Sequence, residues 1–180
     1  ARGEVDQIKE LIDEVLFLAE LESGTRVVSL GAEPVLPVLA DVARALEESA
    51  ARAGVELRVE GDEHATVEVR PRMLRVVAQN LAENAIRYAG PGAVATLSVR
   101  EEEGAVVLTV ADTGAGVAAD DLPRLFERFY RADRSRHTRG TGLGLAIVKH
   151  VVNRHKGSLQ VESRLAAGTA FTAYFRTAQR

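Results

Sequence analysis

Two runs rich in Val, Leu and Thr, residues 94–100 and 105–111, flank a turn at Gly104 and impose a β-hairpin on the middle of this 180-residue chain. A two-stranded hairpin is not stable alone, so further strands and a covering layer have to come from elsewhere in the sequence. Alternation recurs over Val55–Glu60 and Ala65–Val69, around the turn-like Gly61-Asp62, and the runs Ser158–Ser163 and Thr169–Arg176 supply two late strands. Thr25–Gly31 reads as one more short strand. The cover comes from helices. Glu4–Leu21 carries Val5, Ile8, Ile12, Val15 and Ala19 three and four apart, with Leu11 and Leu18 alongside, and ends at Ser23-Gly24. An alanine-rich helix spans Pro34–Ala53 and stops at Gly54. Pro71 suits the first turn of a helix running to about Tyr88, which Ala89-Gly90-Pro91-Gly92 terminates, and Thr141–His155 forms another. Helices interspersed with recurring hairpins predict an α/β (α+β) two-layer sandwich: a mixed sheet with helices on one face, preceded by an N-terminal helix.

Length allows one full domain with a short extra element. A hydrophobic fraction of 46% and a charged fraction of 27% are globular values. A net charge of −3 disfavours a general affinity for polyanions, and no nucleic-acid partner is expected. The absence of cysteine removes disulfides, thiolate catalysis and Cys-based zinc sites. His150 and His155 stand five apart and diverge on a helix, and His64 and His137 fall in loops, so no histidine metal site is expected. The start at Ala1, without an initiator Met, reads as a piece of a longer protein.

Three features carry chemistry. On the helix after Pro71, Asn80 and Asn84 stand one turn apart, with Arg87 and Tyr88 on nearby turns beside an apolar arc of Val77, Leu81 and Ala85. Paired asparagines on a helix are ordinarily solvated or capping; here they can also ligate a hard cation that shares phosphate oxygens. Asp112-Thr113-Gly114-Ala115-Gly116 follows an apolar strand directly. Its carboxylate can accept a hydrogen bond from an exocyclic amine while its glycines admit a ligand to the backbone; an ordinary Asx turn is the plainer reading. Gly114, Gly116 and Ala119 also match G-x-G-x-x-A, but that pattern must open a helix at once, and Asp121 and Pro123 place the helix start later. Gly140-Thr141-Gly142-Leu143-Gly144-Leu145 runs three alternate glycines into a helix, whose free amides and dipole suit an anion. Between the glycine segments the chain reads as irregular, with Asp121-Leu122-Pro123 starting a short helix; Phe126, Phe129 and Tyr130 at three and four apart leave a helix face packed on the core as the plainer alternative to a lid. Arg131, Arg134, Arg136 and Arg139, with His137, fit a mobile lid that closes over phosphates.

Taken in order, Gln79-Asn80-Leu81-Ala82-Glu83-Asn84-Ala85-Ile86-Arg87-Tyr88, Asp112-Thr113-Gly114-Ala115-Gly116, Phe126-Glu127-Arg128-Phe129-Tyr130-Arg131 and Gly140-Thr141-Gly142-Leu143-Gly144-Leu145 resemble the N, G1, F and G2 boxes of sensor histidine kinases, closed by Gly168-Thr169-Ala170-Phe171. The resemblance covers about Thr25–Arg176 and implies the Bergerat fold shared with DNA gyrase, with ATP and Mg²⁺ as cofactors. It implies Asn84 as the Mg²⁺ ligand with Asn80 assisting, Arg87 on phosphate and Tyr88 stacked near adenine. Asp112 would accept the adenine amino hydrogen bond, with Thr169 assisting through a hydroxyl or water. Gly114, Gly116 and Val117 would shape the base pocket; Arg131, Gly140, Thr141, Gly142, Leu143, Gly144 and Leu145 would surround the phosphates. Thr113 stands where the family often has Asn, and Arg139 and Lys156 stand where it often has glycine.

The same resemblance implies that residues 1–24 are the second helix of a dimerisation and phosphoacceptor hairpin, and 25–180 the ATP-binding domain with a lid at about 117–140. The acceptor histidine would lie on a first hairpin helix outside this sequence, since none of the four histidines stands in a His-Glu/Asp context followed by Pro-Leu. Expected partners are that helix, a second copy forming a homodimer, and a response regulator receiver domain. The expected setting is the cytoplasmic part of a bacterial plasma-membrane sensor. A gyrase-type hydrolytic ATPase is a further alternative; such ATPases carry a glutamate base where this chain has Asn80. The rival from another class is a non-catalytic nucleotide sensor that signals through its helix, which the intact motif set disfavours; an anti-sigma-type serine kinase shares the nucleotide site, but the N-terminal helix argues for the histidine class.

Overall fold

The computed structural model describes residues 2–23, 31–132 and 140–178. Helix α1 spans Arg2–Glu22, β1 Glu33–Pro34, α2 Val35–Ala53, β2 Glu56–Gly61, β3 Thr66–Val67, α3 Pro71–Tyr88, β4 Val94–Glu102 and β5 Ala105–Asp112. After a single 3-10 turn at Leu122–Arg124 come α4 Gly144–Arg154, β6 Ser158–Arg164 and β7 Gly168–Arg176. The strand expected over Thr25–Gly31, the boundary at residue 24 and the lid residues Arg134, Arg136, His137 and Arg139 lie outside the described residues, Gly31 excepted.

Five strands form one sheet in the order β2-β4-β5-β7-β6. β2 runs parallel to β4, and the other neighbours are antiparallel. The Val55–Glu60 and Ala65–Val69 runs are both strands, yet they do not pair with each other. β2 joins the main sheet, whereas β3 pairs with β1 in a separate two-stranded ribbon. Gly61, read as a turn, ends β2 with φ +136, and a Cβ there would lie 2.1 Å from the Val99 carbonyl oxygen. That close approach lets the parallel pair continue to its last residue.

Period-two alternation assigns the two faces. Leu97 on β4, Val110 on β5, Phe171 on β7 and Val161 on β6 lie opposite one another, as do Val99, Leu108, Ala173 and Leu159 one rung further on. These rows meet α2, α3 and α4, which bury Leu39, Val42, Leu74, Leu81, Val148 and Val151 against them. The helices pack on that single face, as expected.

α3 starts with Pro at its first turn and buries Leu74, Val77, Ala78, Leu81, Ala82, Ala85 and Ile86. Its opposite stripe, Asn80, Asn84, Arg87 and Tyr88, is left to face a cavity. α4 ends where Lys156 takes φ +57, a left-handed conformation that glycine adopts without cost, and Gly157 then packs 2.3 Å, by its notional Cβ, from the Tyr174 carbonyl. No helix among the described residues is long and apolar enough to cross a membrane.

Candidate active site

Following the core rows to their end produces the site. Val106, Leu108, Val110 and Asp112 share one face of β5, so Asp112 is the polar last member of a buried apolar row. The same rung holds Ala95 on β4, Thr169 on β7 and Ser163 on β6. Thr169 is the one buried polar side chain among the described residues. The Gly114 N–H donates to Asp112 Oδ1 at 2.9 Å, and the Thr169 backbone N–H donates to the same carboxylate. Burial pushes the Asp112 carboxyl above its ordinary value of 3.8, against the opposing pull of those two donors.

The loop after β5 is clamped to the β6–β7 turn. Val117 N–H donates to Ser163 Oγ at 2.8 Å, and Ala166 N–H to the Ala115 carbonyl at 2.8 Å. Gly116 sits at φ +71 with its notional Cβ 2.1 Å from the Arg164 carbonyl oxygen, and a Cβ on Gly114 would lie 2.3 Å from Ala89. Both glycines are therefore required by the closeness of the chain crossings. Thr113, the departure from the usual Asn, bonds Val94 twice: its N–H donates to the Val94 carbonyl and its Oγ1 accepts the Val94 N–H, both at 3.0 Å. No helix follows Gly116 before the 3-10 turn at Leu122, so the dinucleotide-type pattern is not realised.

A cavity of about 490 Å³ opens beside this rung. It is lined by Asn80, Asn84, Arg87, Tyr88, Asp112, Gly116, Val117, Arg131, Thr141, Gly142, Gly144, Leu145 and Thr169, thirteen of the residues expected from sequence. Gly114, Gly140 and Leu143 are not at its wall. Gly114 lies behind Asp112. Gly140 runs against α3, its notional Cβ 2.8 Å from Arg87 Nη1 and 3.3 Å from the Tyr88 hydroxyl. The Leu143 side chain is buried in the core, and its N–H donates to Thr141 Oγ1 at 3.2 Å, so that amide is already engaged. Asn80 Nδ2 donates to the Val76 carbonyl at 2.8 Å, which leaves Oδ1 turned to the start of α4, where a Cβ on Gly144 would lie 2.9 Å from it. An uncommitted carboxamide oxygen beside Asn84 fits a hard cation that takes its remaining ligands from phosphate and water.

The segment Phe126–Tyr130 is not the helix face that its spacing suggests. Phe126 packs edge-on to Phe171 at 6.1 Å between ring centroids, but Phe129 has φ +63 and is 58% exposed. The Phe129 N–H donates to the Gly142 carbonyl at 2.9 Å, so the backbone bends to meet the glycine run rather than coiling. Arg124 lies 4.3 Å over the Tyr130 ring, and the Tyr130 hydroxyl donates to Asp121, tying residues 121–130 together.

Sequence reading missed Ser163, Glu10, Glu14, Glu83 and Leu165. Ser163 was in phase with Leu159 and Val161 on a strand, which is the signal that could have found it. Glu10 and Glu14 had none, because only tertiary packing brings α1 to the cavity mouth. There the Thr141 hydroxyl donates to Glu14 Oε2; away from the cavity, Arg128 pairs with Glu22 and Arg154 donates to the Leu21 carbonyl at 2.5 Å. Burial raises the Glu14 carboxyl above its ordinary value of 4.5; the Thr141 hydrogen bond and Arg87 oppose this, while Glu10 and Glu83 add to it. A carboxyl whose folded value is raised favours folding most below its ordinary value and loses that contribution as pH rises through the raised one. Glu14→Gln should therefore match the parent in urea stability near pH 4 and become the more stable of the two as pH increases. A difference that does not vary with pH would show that Glu14 is not held in this setting.

A family profile described as histidine kinase-, DNA gyrase B-, and HSP90-like ATPase matches residues 69–179. The chain is 33% identical over 171 residues to the sensor-like histidine kinase SenX3 of Mycobacterium tuberculosis, covering 94% of this chain and 42% of that protein. It is 38% identical over 178 residues to the phosphate regulon sensor protein PhoR of Pseudomonas aeruginosa, covering 96% of this chain and 40% of the relative. It thus spans less than half the length of these relatives. The crystal structure of full-length ShkA in complex with AMPPNP superposes with a TM-score of 0.84 at 31% identity, covering 99% of this chain and 38% of that one. The histidine kinase AdeS of Acinetobacter baumannii, at 23% identity, shares the fold with a TM-score of 0.81, covering 98% of this chain and 82% of that one.

Proposed function

Because this chain belongs to the histidine kinase-, DNA gyrase B-, and HSP90-like ATPase family, as a histidine kinase ATP-binding domain, we propose that its cavity takes ATP with Mg²⁺ and presents the γ-phosphate to a histidine. The observation that carries the reading is the placement of a carboxylate held by two backbone N–H donors at one end of a cavity of about 490 Å³, with the Asn80–Asn84–Arg87 stripe and the glycine start of α4 along it. That volume suits a nucleotide-sized ligand.

In this reading Asp112 accepts from the adenine amino group, with Thr169 beside it. Gly114, Gly116 and Val117 shape the base pocket, and Tyr88 flanks the ring. Arg87, Arg131 and the backbone at Thr141, Gly142, Gly144 and Leu145 meet the phosphates, where the α4 N-terminus adds a partial positive charge. Asn84, assisted by Asn80 Oδ1, holds Mg²⁺, which when bound neutralises phosphate charge. An imidazole nitrogen attacks the γ-phosphorus; the N–P bond forms as the bond to the β,γ-bridging oxygen breaks, and ADP leaves. The residues of this chain position the phosphates and stabilise the charge spread over them.

We assign residues 1–24 to the second helix of a phosphoacceptor hairpin and 25–180 to the ATP-binding domain, with the lid at about 117–140. Val5, Ile8, Ile12, Val15 and Leu16 on α1 are 44–65% exposed, which supports partner helices from the hairpin and from a second copy. Relay to a response regulator aspartate, in the cytoplasmic part of a membrane sensor, completes the proposal.

The test supplies [γ-³²P]ATP and Mg²⁺ to the chain with and without a separately made histidine-bearing hairpin. The expected result is label on the hairpin and none on the chain alone. Release of inorganic phosphate at the same rate without an acceptor would replace this reading with a hydrolytic ATPase.

A further inference from the structure

Ser163 does not line the cavity, yet its hydroxyl touches three groups that do or that border it. It receives the Val117 N–H at 2.8 Å, lies 3.0 Å from the Gly168 carbonyl oxygen and 2.7 Å from Thr169 Oγ1. A hydroxyl has one hydrogen to give and two lone pairs. An N–H can only donate and a carbonyl can only accept, so one lone pair is taken by Val117 and the hydrogen goes to Gly168. The three contacts are all hydrogen bonds in one arrangement alone: Thr169 must donate its own hydrogen to Ser163. The Thr169 oxygen is then left with lone pairs only, on a buried side chain at the cavity wall, on the same rung as the carboxylate of Asp112.

We infer that Ser163 is a specificity-positioning residue, which fixes Thr169 as a second acceptor beside Asp112 and so selects a ligand edge bearing a two-hydrogen amino group over one bearing a carbonyl. This rests on the nucleotide reading above and deepens it to the discrimination between 6-amino and 6-oxo purines. An amino group can serve two neighbouring acceptors with its two hydrogens. A carbonyl in the same place sets its lone pairs against theirs, and leaving buried acceptors unpaired is costly. Without Ser163, the Thr169 hydroxyl is free to turn and donate, so a carbonyl becomes acceptable.

ATP and ITP differ in this edge of the base, and their dissociation constants are measured on the full chain with Mg²⁺ for the parent, Ser163→Ala and Ser163→Thr. The ITP-to-ATP ratio of dissociation constants is expected to fall by about 5–10-fold in Ser163→Ala and to be restored in Ser163→Thr, which keeps the hydroxyl. Loosening of the Val117 loop alone would weaken both nucleotides together and leave the ratio intact. Thr169→Val gives an independent arm: it should lower the ratio to the same extent, with Ser163→Ala adding nothing on top. An ATP-selective parent whose ratio is unchanged by Ser163→Ala, or a Ser163→Thr ratio as low as that of Ser163→Ala, overturns this inference and leaves the nucleotide reading in place. A folded parent that binds neither nucleotide overturns both.

Discussion

Asp112→Asn is expected to weaken ATP binding by about 100-fold while leaving the chain folded. The carboxylate has lone pairs enough to accept from Gly114 N–H, from Thr169 N–H and from a ligand amine at once. A carboxamide replaces one acceptor oxygen with a donor. Whichever way it turns, its NH₂ faces either a backbone N–H or the incoming amine. Stability should move the other way. Burial raises the Asp112 carboxyl, so its favourable contribution is fully present below 3.8 and is lost as pH rises through the raised value. At neutral pH the ionised side chain is a cost that asparagine removes. Isothermal titration with ATP and Mg²⁺, paired with urea unfolding at pH 7.5, separates the two effects. Affinity equal to the parent's would remove Asp112 from the base pocket.

Gly168→Ala should produce the largest loss of stability of any single methyl addition near the site. Gly168 has φ +104, and its notional Cβ lies 1.9 Å from the Asp112 carbonyl oxygen and 3.1 Å from the Thr113 Cα. Both obstacles are backbone, so neither can swing aside. A strained conformation and a forced displacement of β7 from β5 together cost about 3–5 kcal/mol, or roughly 6–20 °C in Tm for a chain of this size. Because the shift falls at Asp112 and Thr169, nucleotide affinity should fall with it. Gly31→Ala is the control: nothing lies within 4 Å of its notional Cβ, and its Tm should stay near that of the parent. A Gly168→Ala protein as stable as Gly31→Ala would mean that β5 and β7 do not meet this closely.

The elements with strong local signals were readable in advance. Pro71 and the apolar arc defined α3 to within its observed limits, and Gly104 placed the β4–β5 turn, because helix periodicity and turn chemistry are encoded within a few residues. The segment from Phe126 to Tyr130 was legible only as part of an irregular stretch, with a helix face as the plainer alternative. Its aromatic spacing is helical, but a hydrogen bond from Phe129 to Gly142, thirteen residues away in sequence, sets the backbone instead. Likewise β2 and β3 alternate alike, and nothing local says that one joins β4 in parallel while the other pairs with β1. Register and partner choice are settled by which edges and faces remain to be covered.

The sequence by itself determined α1, α2, α3, the β4–β5 hairpin and the identity of the motif residues, since period, caps and the order Asn80–Asn84, Asp112–Gly116 and Gly140–Gly144 are properties of neighbours along the chain. Tertiary structure alone decided that Asp112, Thr169 and Ser163 share one rung, that Gly114, Gly116 and Gly168 are squeezed by distant backbone, and that Glu14 of α1 reaches Thr141. Those are contacts between residues 6 to 127 positions apart, and they form only when burial of the common apolar face aligns the strands and seats the helices upon it.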